Sequence, residues 1–371
     1  MKRVRFLMLG GFLGAGKTTA MARLARHYMR QGLKVGLVTN DQAMGLVDTQ
    51  NLRAQGFDVG EVAGACFCCK FDDLVATAQQ LAEHQRPDVL IAEPVGSCTD
   101  LAATVIEPLR QLYGDAYEIG PLAVLLKPEH GRKILSGEAG AGFSPKAAYI
   151  FLKQLEEAEI LVVNKVDKLE PAEVQSLVRL VKQRFPDQEV LSASARDGTG
   201  FEALIAAIER PRPARTSTPE VDYDVYAAGE AELGWLNGSV RVQPDDPPRD
   251  FSLDALVVRL VERLAQALKS QAAEPAHLKI LGEAEGAWSI ANLVSSSSQV
   301  ELSAASAAQV SEAELTINAR AAIDPDELAR LLDAELGELA AEFGVRAQVQ
   351  RMQHFRPGRP VPTHRMPLGA A

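Results

Sequence analysis

Two clusters of residues in this chain have the types and spacing to do chemistry. The first, Gly11-Phe12-Leu13-Gly14-Ala15-Gly16-Lys17-Thr18-Thr19, satisfies the pattern G-x-x-x-x-G-K-[ST]. Such a loop cradles a polyphosphate. Backbone N–H groups around Gly11, Gly14, Ala15 and Gly16 converge on the anion, and the start of the following helix, at Lys17 to Thr19, adds positive field. Lys17 then reaches the β and γ phosphates and Thr18 offers a hydroxyl to Mg²⁺. The second cluster, Cys66-Phe67-Cys68-Cys69, packs three thiols into four residues. Thiolates at positions 1, 3 and 4 of a short loop can converge on one borderline divalent ion such as Zn²⁺. Tetrahedral coordination then lacks one ligand, for which water, a client protein, a histidine, Cys98 or a residue of another subunit are the alternatives. Buried thiols and a redox pair are the readings without a metal.

A third pattern reads the base. Asn164-Lys165-Val166-Asp167 follows the apolar run Ile160–Val163. The Asp167 carboxylate can accept from both N1–H and the 2-amino group of guanine, an edge that adenine lacks, while Lys165 lies along the ring and Asn164 braces the loop. GTP, hydrolysed to GDP, is therefore expected over ATP. Some thirty residues on, Ser194-Ala195-Arg196 resembles the base-contacting SAK loop of GTPases. Between the phosphate and base motifs lie Asn40-Asp41, Asp48 and Glu93-Pro94-Val95-Gly96. Acids at strand ends opposite a phosphate loop can hold Mg²⁺ or its waters, which nominates Asp41 and Glu93. The Gly96 N–H is placed to sense the γ-phosphate. Asp48 reads either as part of this machinery or as a helix cap.

Composition bounds what these residues belong to. The chain has 371 residues, with 39 Lys and Arg against 49 Asp and Glu and a net charge of −10. That balance disfavours a protein coating nucleic acid or anionic lipid. No apolar run is long enough to span a bilayer. The start, Met1-Lys2-Arg3-Val4-Arg5 before Phe6–Leu9, imitates a signal peptide, but its apolar stretch runs into the glycine loop and Lys17 rather than a cleavage site. Four cysteines in such a length, three of them clustered, point to a reducing compartment, hence the cytoplasm, and to a site rather than a disulfide framework.

The elements that must position these motifs follow from hydrophobic patterning. Val4–Leu9, Val35–Thr39, Val89–Ala92, Leu122–Leu126, Ile160–Val163 and Val190–Ala193 are apolar runs without alternation, as in strands covered on both faces. Met21, Leu24, Ala25 and Tyr28 recur at helical spacing after Lys17, with Gln31-Gly32 as the stop. A doubly wound, mainly parallel α/β domain over residues 1–208 is expected. The breaker-rich stretch 209–222 is its linker, and 223–353 form a smaller α+β domain of split βαβ, ferredoxin-like type. Its strands are Leu233–Val242, His277–Leu281, Leu315–Ala319 and Val345–Met352, its helices Leu253–Leu268 and Pro325–Phe343, and Trp288–Leu302 is an inserted excursion. The tail 354–371, with Arg356, Arg359, Arg365, His354 and His364 and no acid, reads as a solvated tail or a strap over the domain surface, with partner docking or an auxiliary metal ligand as the alternatives.

These motifs, in this order, resemble the CobW-like metallochaperones, a branch of the P-loop GTPases that includes the urease and hydrogenase maturation GTPases. The resemblance covers nearly all of residues 1–208. It rests on Gly11–Thr19, Asn40-Asp41 and Asp48, Glu61 ahead of Cys66–Cys69, Glu93–Gly96 and Asn164–Asp167. It implies a GTP-hydrolysing protein that binds Zn²⁺, Co²⁺ or Fe²⁺ at Cys66, Cys68 and Cys69, helped by Glu61, and delivers it to a client metalloenzyme or metal-cofactor pathway. Lys17, Thr18, Asp41, Asp48 and Glu93 would serve phosphate, Mg²⁺ and hydrolysis. Turnover would be slow without a partner, since the motifs contain no arginine finger. A homodimer is compatible with this reading. Two departures stand out. Ala65 replaces the usual glycine before Cys66, which restricts φ there, and Lys127–Pro145, with its glycines and His130, is nearer the nitrile hydratase activator type. The competing functions are a P-loop small-molecule kinase with a structural zinc knot and a GTP-switched binding module that delivers no metal.

Overall fold

The structure, a computed structural model, describes residues 2–41, 47–137, 144–213, 215–245, 250–296 and 298–368, apart from the side chains of 84 and 85. Part of the Lys127–Pro145 stretch, Ala214 of the linker and the last three residues of the tail lie outside the described residues. The chain divides into two compact units, Met1–Gln42 with Leu52–Gly229 and Arg359–Ala371, and Ala43–Asn51 with Glu230–Gly358.

The first unit is built on seven strands: β1 (Val4–Gly11), β2 (Val35–Asp41), β3 (Val59–Ala63), β4 (Val89–Glu93), β5 (Tyr117–Leu126), β6 (Ile160–Val163) and β7 (Glu189–Ser192). They run parallel in the order β3-β2-β4-β1-β5-β6-β7. Helices α1 (Lys17–Arg30), α3 (Phe71–Gln85), α4 (Glu107–Tyr113), α5 (Pro128–Ser136), α6 (Pro145–Glu156), α7 (Pro171–Arg184), α8 (Phe201–Glu209) and α9 (Tyr223–Glu230) make the crossovers and the exit, while α2 (Val47–Ala54) is divided, its residues through Asn51 grouping with the second unit. Six strands coincide with the apolar runs. The seventh, β3, reads VGEVA, too short and too polar to stand out, and it forms because β2 offers it an edge in register from Leu37↔Val59 to Asp41↔Ala63.

The central strands are fully covered: Leu7, Leu9, Leu37, Ile91, Ala123, Leu125, Ile160 and Val162 share one core with Met21, Leu24 and Tyr28 of α1. Each such aliphatic side chain stabilises the fold by roughly 1.5–3 kcal/mol when fully buried. Because β1 sits between β4 and β5, the chain leaves β1 toward one edge of the sheet and returns to fill the other. That is a topological switch point, and ligands bind there outside the carboxyl ends of the strands. Every motif singled out in this unit lies at those carboxyl ends.

The second unit is a six-stranded antiparallel sheet in the order β12-β11-β10-β14-β8-β15. Strands β8 (Gly234–Pro244), β10 (Pro275–Ala284), β14 (Ala313–Ala321) and β15 (Val345–Phe355) alternate with helices α10 (Leu253–Ser270) and α11 (Pro325–Phe343) as a split βαβ sandwich. The excursion between β10 and β14 adds β11 (Ala287–Leu293) and β12 (Glu301–Ala304) to the sheet edge, and a two-residue strand, β13 (Gln309–Val310), pairs with β9 (Phe251–Ser252). Ser252 and Asp324 cap the two helices by accepting from Ala255 and Asp326 N–H. Among the described residues no helix is long and apolar enough to cross a membrane.

Candidate nucleotide and metal site

The loop from β1 to α1 takes its shape from glycine. Gly11, Gly14 and Gly16 have φ of 134°, 72° and 92°, conformations that cost a side-chain-bearing residue energy. A Cβ on Gly11 would lie 2.3 Å from the Leu125 carbonyl oxygen, and one on Gly16 2.5 Å from Asn164 Nδ2. The loop is thereby free to turn its N–H groups inward at the start of α1. Behind it, Thr18 Oγ1 donates to Glu93 Oε1 at 3.1 Å and Lys17 Nζ lies 3.8 Å from the same oxygen, Lys17 and Glu93 being buried and Thr18 half-buried. Asp41 ends β2 and is half-buried. A hydroxyl beside a buried carboxylate at a strand end is a hard-oxygen donor set that suits Mg²⁺.

The base motif is tied to the phosphate loop through one carboxamide. Asn164 Nδ2 donates to the Ala15 carbonyl at 2.7 Å, and Asn164 Oδ1 accepts from Ala195 N–H at 3.0 Å. A single buried side chain therefore joins the phosphate loop to the Ser194–Arg196 loop. Arg23 of α1 secures that loop from the other side through the Ala195 carbonyl at 2.7 Å. Lys165 takes a left-handed φ of 62°, and Asp167 in the following turn is exposed. Ser194 Oγ accepts from Asp197 N–H.

Asp48 takes another place. It lies in the first turn of α2, groups with the second unit, and its carboxylate is engaged by Lys279 Nζ. The sequence offers it either a place with Lys17, Asp41 and Glu93 or a helix cap, and in this structure it stands in a first helical turn with its charge matched by a lysine. His130, buried beside the ring of Phe12, is held neutral: burial first, then Lys127, Lys133 and Lys165, push its pKa down to about 2.

The cysteine loop joins β3 to α3. Its turn is closed by Cys69 N–H and Lys70 N–H, both donating to the Cys66 carbonyl. Asn40, at the end of β2, clasps it: Asn40 Nδ2 donates to the Val62 and Ala65 carbonyls, and Oδ1 accepts from Phe67 N–H at 2.8 Å. Ala65 is not among the described residues with positive φ. Gly64, with φ 93°, carries the sharp turn instead, so the alanine is accommodated. The sulfurs stand 2.8 Å (Cys66–Cys68), 3.4 Å (Cys66–Cys69) and 3.7 Å (Cys68–Cys69) apart. Zn–S bonds of about 2.3 Å set tetrahedral sulfur edges near ~3.8 Å, so a small opening of this triangle admits the ion. The three are the one described group of potential ligands that converges, and Glu61, in β3 opposite Thr39, is outside it. Hydrogen bonding with Cys68, then Cys69 and Cys98, holds Cys66 well below the usual thiol range. Hydrogen bonding with Cys66 in turn keeps Cys68 well above it and pushes Cys69 up to about 11.

Two features were legible only as alternatives, a strap without its partners and Cys98 without its neighbours. Residues 359–368 strap the cysteine loop. Val361 N–H donates to Cys69 Sγ at 3.3 Å, Thr363 N–H to the Cys68 carbonyl at 2.8 Å, and Thr363 Oγ1 to the Cys69 carbonyl at 3.2 Å. Arg365 pairs with buried Asp100 at 2.7 Å, and the His364 ring meets Phe71 edge-on. The second feature is a short route from phosphate loop to thiols. Gly96 packs against the phosphate loop so closely that a Cβ there would lie 2.7 Å from Leu13 Cδ2, and two residues later Cys98 reaches Cys66 and Cys68.

Fold and motifs together define a P-loop nucleotide-binding protein of the doubly wound α/β class. The family described as CobW/HypB/UreG, nucleotide-binding domain, matches residues 5–192, just over half of the chain, and the chain belongs to it. Among curated proteins it is 28% identical over 191 residues to the zinc chaperone YeiR of Escherichia coli, covering 50% of this chain and 53% of that protein. It is 22% identical over 223 residues to zinc-regulated GTPase metalloprotein activator 1 of Dictyostelium discoideum, covering 50% and 45%. The chain spans about half the length of these curated relatives. Among solved structures, Zn(II)-bound YjiA GTPase from E. coli aligns over 90% of this chain and 99% of its own, with 15% identity and a TM-score of 0.39. The hydrogenase maturation factor HypB from Archaeoglobus fulgidus aligns over 55% and 87%, with 17% identity and a TM-score of 0.39.

Proposed function

We propose that this chain is a GTP-hydrolysing metallochaperone. It carries a divalent transition metal, Zn²⁺ first and Co²⁺ or Fe²⁺ as the alternatives, at Cys66, Cys68 and Cys69, and passes it to a client metalloenzyme or metal-cofactor pathway. The observation that carries this reading is the convergence of three sulfurs on a loop clasped by Asn40, the neighbour of Asp41 at the carboxyl end of β2. Family membership and two curated relatives whose names contain zinc support it.

In this reading the amides from Gly11 to Thr19 and Lys17 bind the phosphates, Gly96 senses the γ-phosphate, and Asp167 with Lys165 and the Ser194-Ala195 loop selects guanine. Thr18, Asp41 and Glu93 would hold Mg²⁺, which when bound neutralises phosphate charge. Thr18 Oγ1 is already oriented by Glu93, and Lys17 is buried beside it, so the protein presents its donors without reorganising them. Glu61 would lend an oxygen to the cargo only if the loop rearranges. Asp48 would join hydrolysis only after leaving Lys279. GTP binding and metal binding are then linked, and linkage is reciprocal: the factor by which GTP tightens metal binding equals the factor by which metal tightens GTP binding.

Titration of Zn²⁺ and of Co²⁺ into the protein with GDP or a non-hydrolysable GTP analogue tests the coupling, and equal affinities in the two nucleotide states remove it. Assay of free phosphate against phosphorylated acceptor separates this reading from a small-molecule kinase. Cys66→Ser combined with Cys68→Ser and Cys69→Ser separates it from a switch without cargo, because partner binding would survive there.

A further inference from the structure

Cys98 belongs to no sequence motif. It is 1% exposed, and its sulfur neighbours those of Cys66 and Cys68 while standing outside the triangle of three sulfurs that all lie within 4.8 Å of one another, so the turn must close on the triangle to complete a shell. Its place is fixed from the backbone outward. Cys98 N–H closes a turn onto the Val95 carbonyl at 3.0 Å, and the buried Gln154 amide of α6 donates to the Cys98 carbonyl at 2.8 Å and to the Gly96 carbonyl at 3.0 Å. The turn is closed off from solvent, with Val95, Ser97, Thr99 and Leu101 each under 5% exposed. A soft donor held rigidly beside two others in a dry setting is the arrangement a fourth sulfur ligand requires.

We infer that Cys98 is the fourth ligand of the cargo ion, so that the site closes as four sulfurs, three from the loop after β3 and one from the loop after β4. The inference rests on the metal reading proposed above and adds a residue to it. Its consequence is mechanical. The turn bearing Cys98 begins at Glu93, which contacts Thr18 and Lys17, and passes Gly96, which packs against Leu13. Any displacement of this turn by the nucleotide moves one ligand relative to the other three, taking the ion between a closed four-sulfur shell and an open three-sulfur shell. A closed shell retains an ion, and an open position accepts an incoming ligand.

The test is X-ray absorption at the zinc edge on the full chain loaded with Zn²⁺ alone. Four sulfurs at about 2.3 Å are expected in the wild type. Cys98→Ser is expected to show three sulfurs and a lighter atom, with zinc affinity weakened at least about tenfold. Three sulfurs in the wild type, or an unchanged shell and affinity in Cys98→Ser, would overturn the inference. The wild-type count needs no variant. Cys98→Ala serves where the buried serine hydroxyl unfolds the chain, with GDP binding as the folding control. Wild-type zinc affinity in the Cys66, Cys68 and Cys69 triple serine variant would overturn the metal reading itself, whereas its loss there with no effect of Cys98→Ser would overturn the fourth ligand alone.

Discussion

Asn164 and Asp167 share a motif but do different work. Asn164 is a buried bridge whose two ends are both satisfied, so Asn164→Ala leaves the Ala15 carbonyl and the Ala195 N–H without partners. A loss of roughly 1–3 kcal/mol for each buried group so orphaned is expected, read as a lower melting temperature together with weaker GDP binding. Asp167 is exposed and its role is recognition. Asp167→Asn trades a carboxylate acceptor for a donor amide. GTP should bind about tenfold or more weakly, since 1.4 kcal/mol is tenfold, and xanthosine triphosphate, which presents a carbonyl where guanine has its amino group, should gain in competition assays. Equal preference for both bases in wild type and variant would remove Asp167 from base reading. Glu157 illustrates a buried acid with no such role. Burial first, then its neighbour Asp100, push its pKa up to about 8 against the opposing hydrogen bond from Ala102 N–H. A carboxyl with a raised folded pKa stays protonated in the folded state where the unfolded chain is already ionised. Its stabilisation is therefore complete below about pH 4.5 and lost as pH rises toward 8. Glu157→Gln should melt close to wild type at pH 5 and above it at pH 8, and thermal scans at the two values check the sign.

At the scale of elements, what the sequence disclosed depended on how local its signal was. The phosphate loop and the Asn164–Asp167 loop are contiguous and depend on glycine or on a short polar run after an apolar strand, so their placement at strand ends followed from pattern alone. The helix Lys17–Arg30 ends where Gln31-Gly32 predicts. Strand β3 was missed because its hydrophobic content is supplied by its neighbour, and the strap, one of two readings of the tail, could not be given its partners because nothing within residues 359–368 is periodic. Its partners Cys68, Cys69 and Asp100 lie some 260–300 residues away in sequence. Deleting residues 359–371 should leave the sheet intact and speed alkylation of Cys69, measured with a thiol reagent under native conditions; an unchanged rate would show that the strap does not shield that sulfur. Gly96→Ala tests the other wall. A methyl 2.7 Å from Leu13 Cδ2 and 3.1 Å from Leu13 N has to displace the phosphate loop, and nucleotide affinity should fall while the zinc site of the GDP-free protein persists.

For the molecule as a whole, the two units have separate hydrophobic cores. One is built around Leu7, Leu9 and Ile91, the other around Leu236, Val257 and Ile317. The phosphate-loop and Asn164–Asp167 motifs lie in the first unit, and Asp48 groups with the second. A ligand stabilises what it binds, by about 2.7 kcal/mol at a hundred times its dissociation constant. Calorimetry should therefore resolve two transitions, of which saturating GDP raises one and leaves the other in place; a single transition moving as one would show that the units unfold together. The strap has a further cost in time. Val361 and Cys69 are separated by 292 residues, and contacts of such separation form late because loop closure must precede them. Until they form, Cys69 lacks the cover of Val361 and Thr363, and oxygen can oxidise its thiol together with a neighbouring one to a disulfide before any ion arrives. Renaturation without a reductant should accordingly yield folded protein whose sulfurs are already spent.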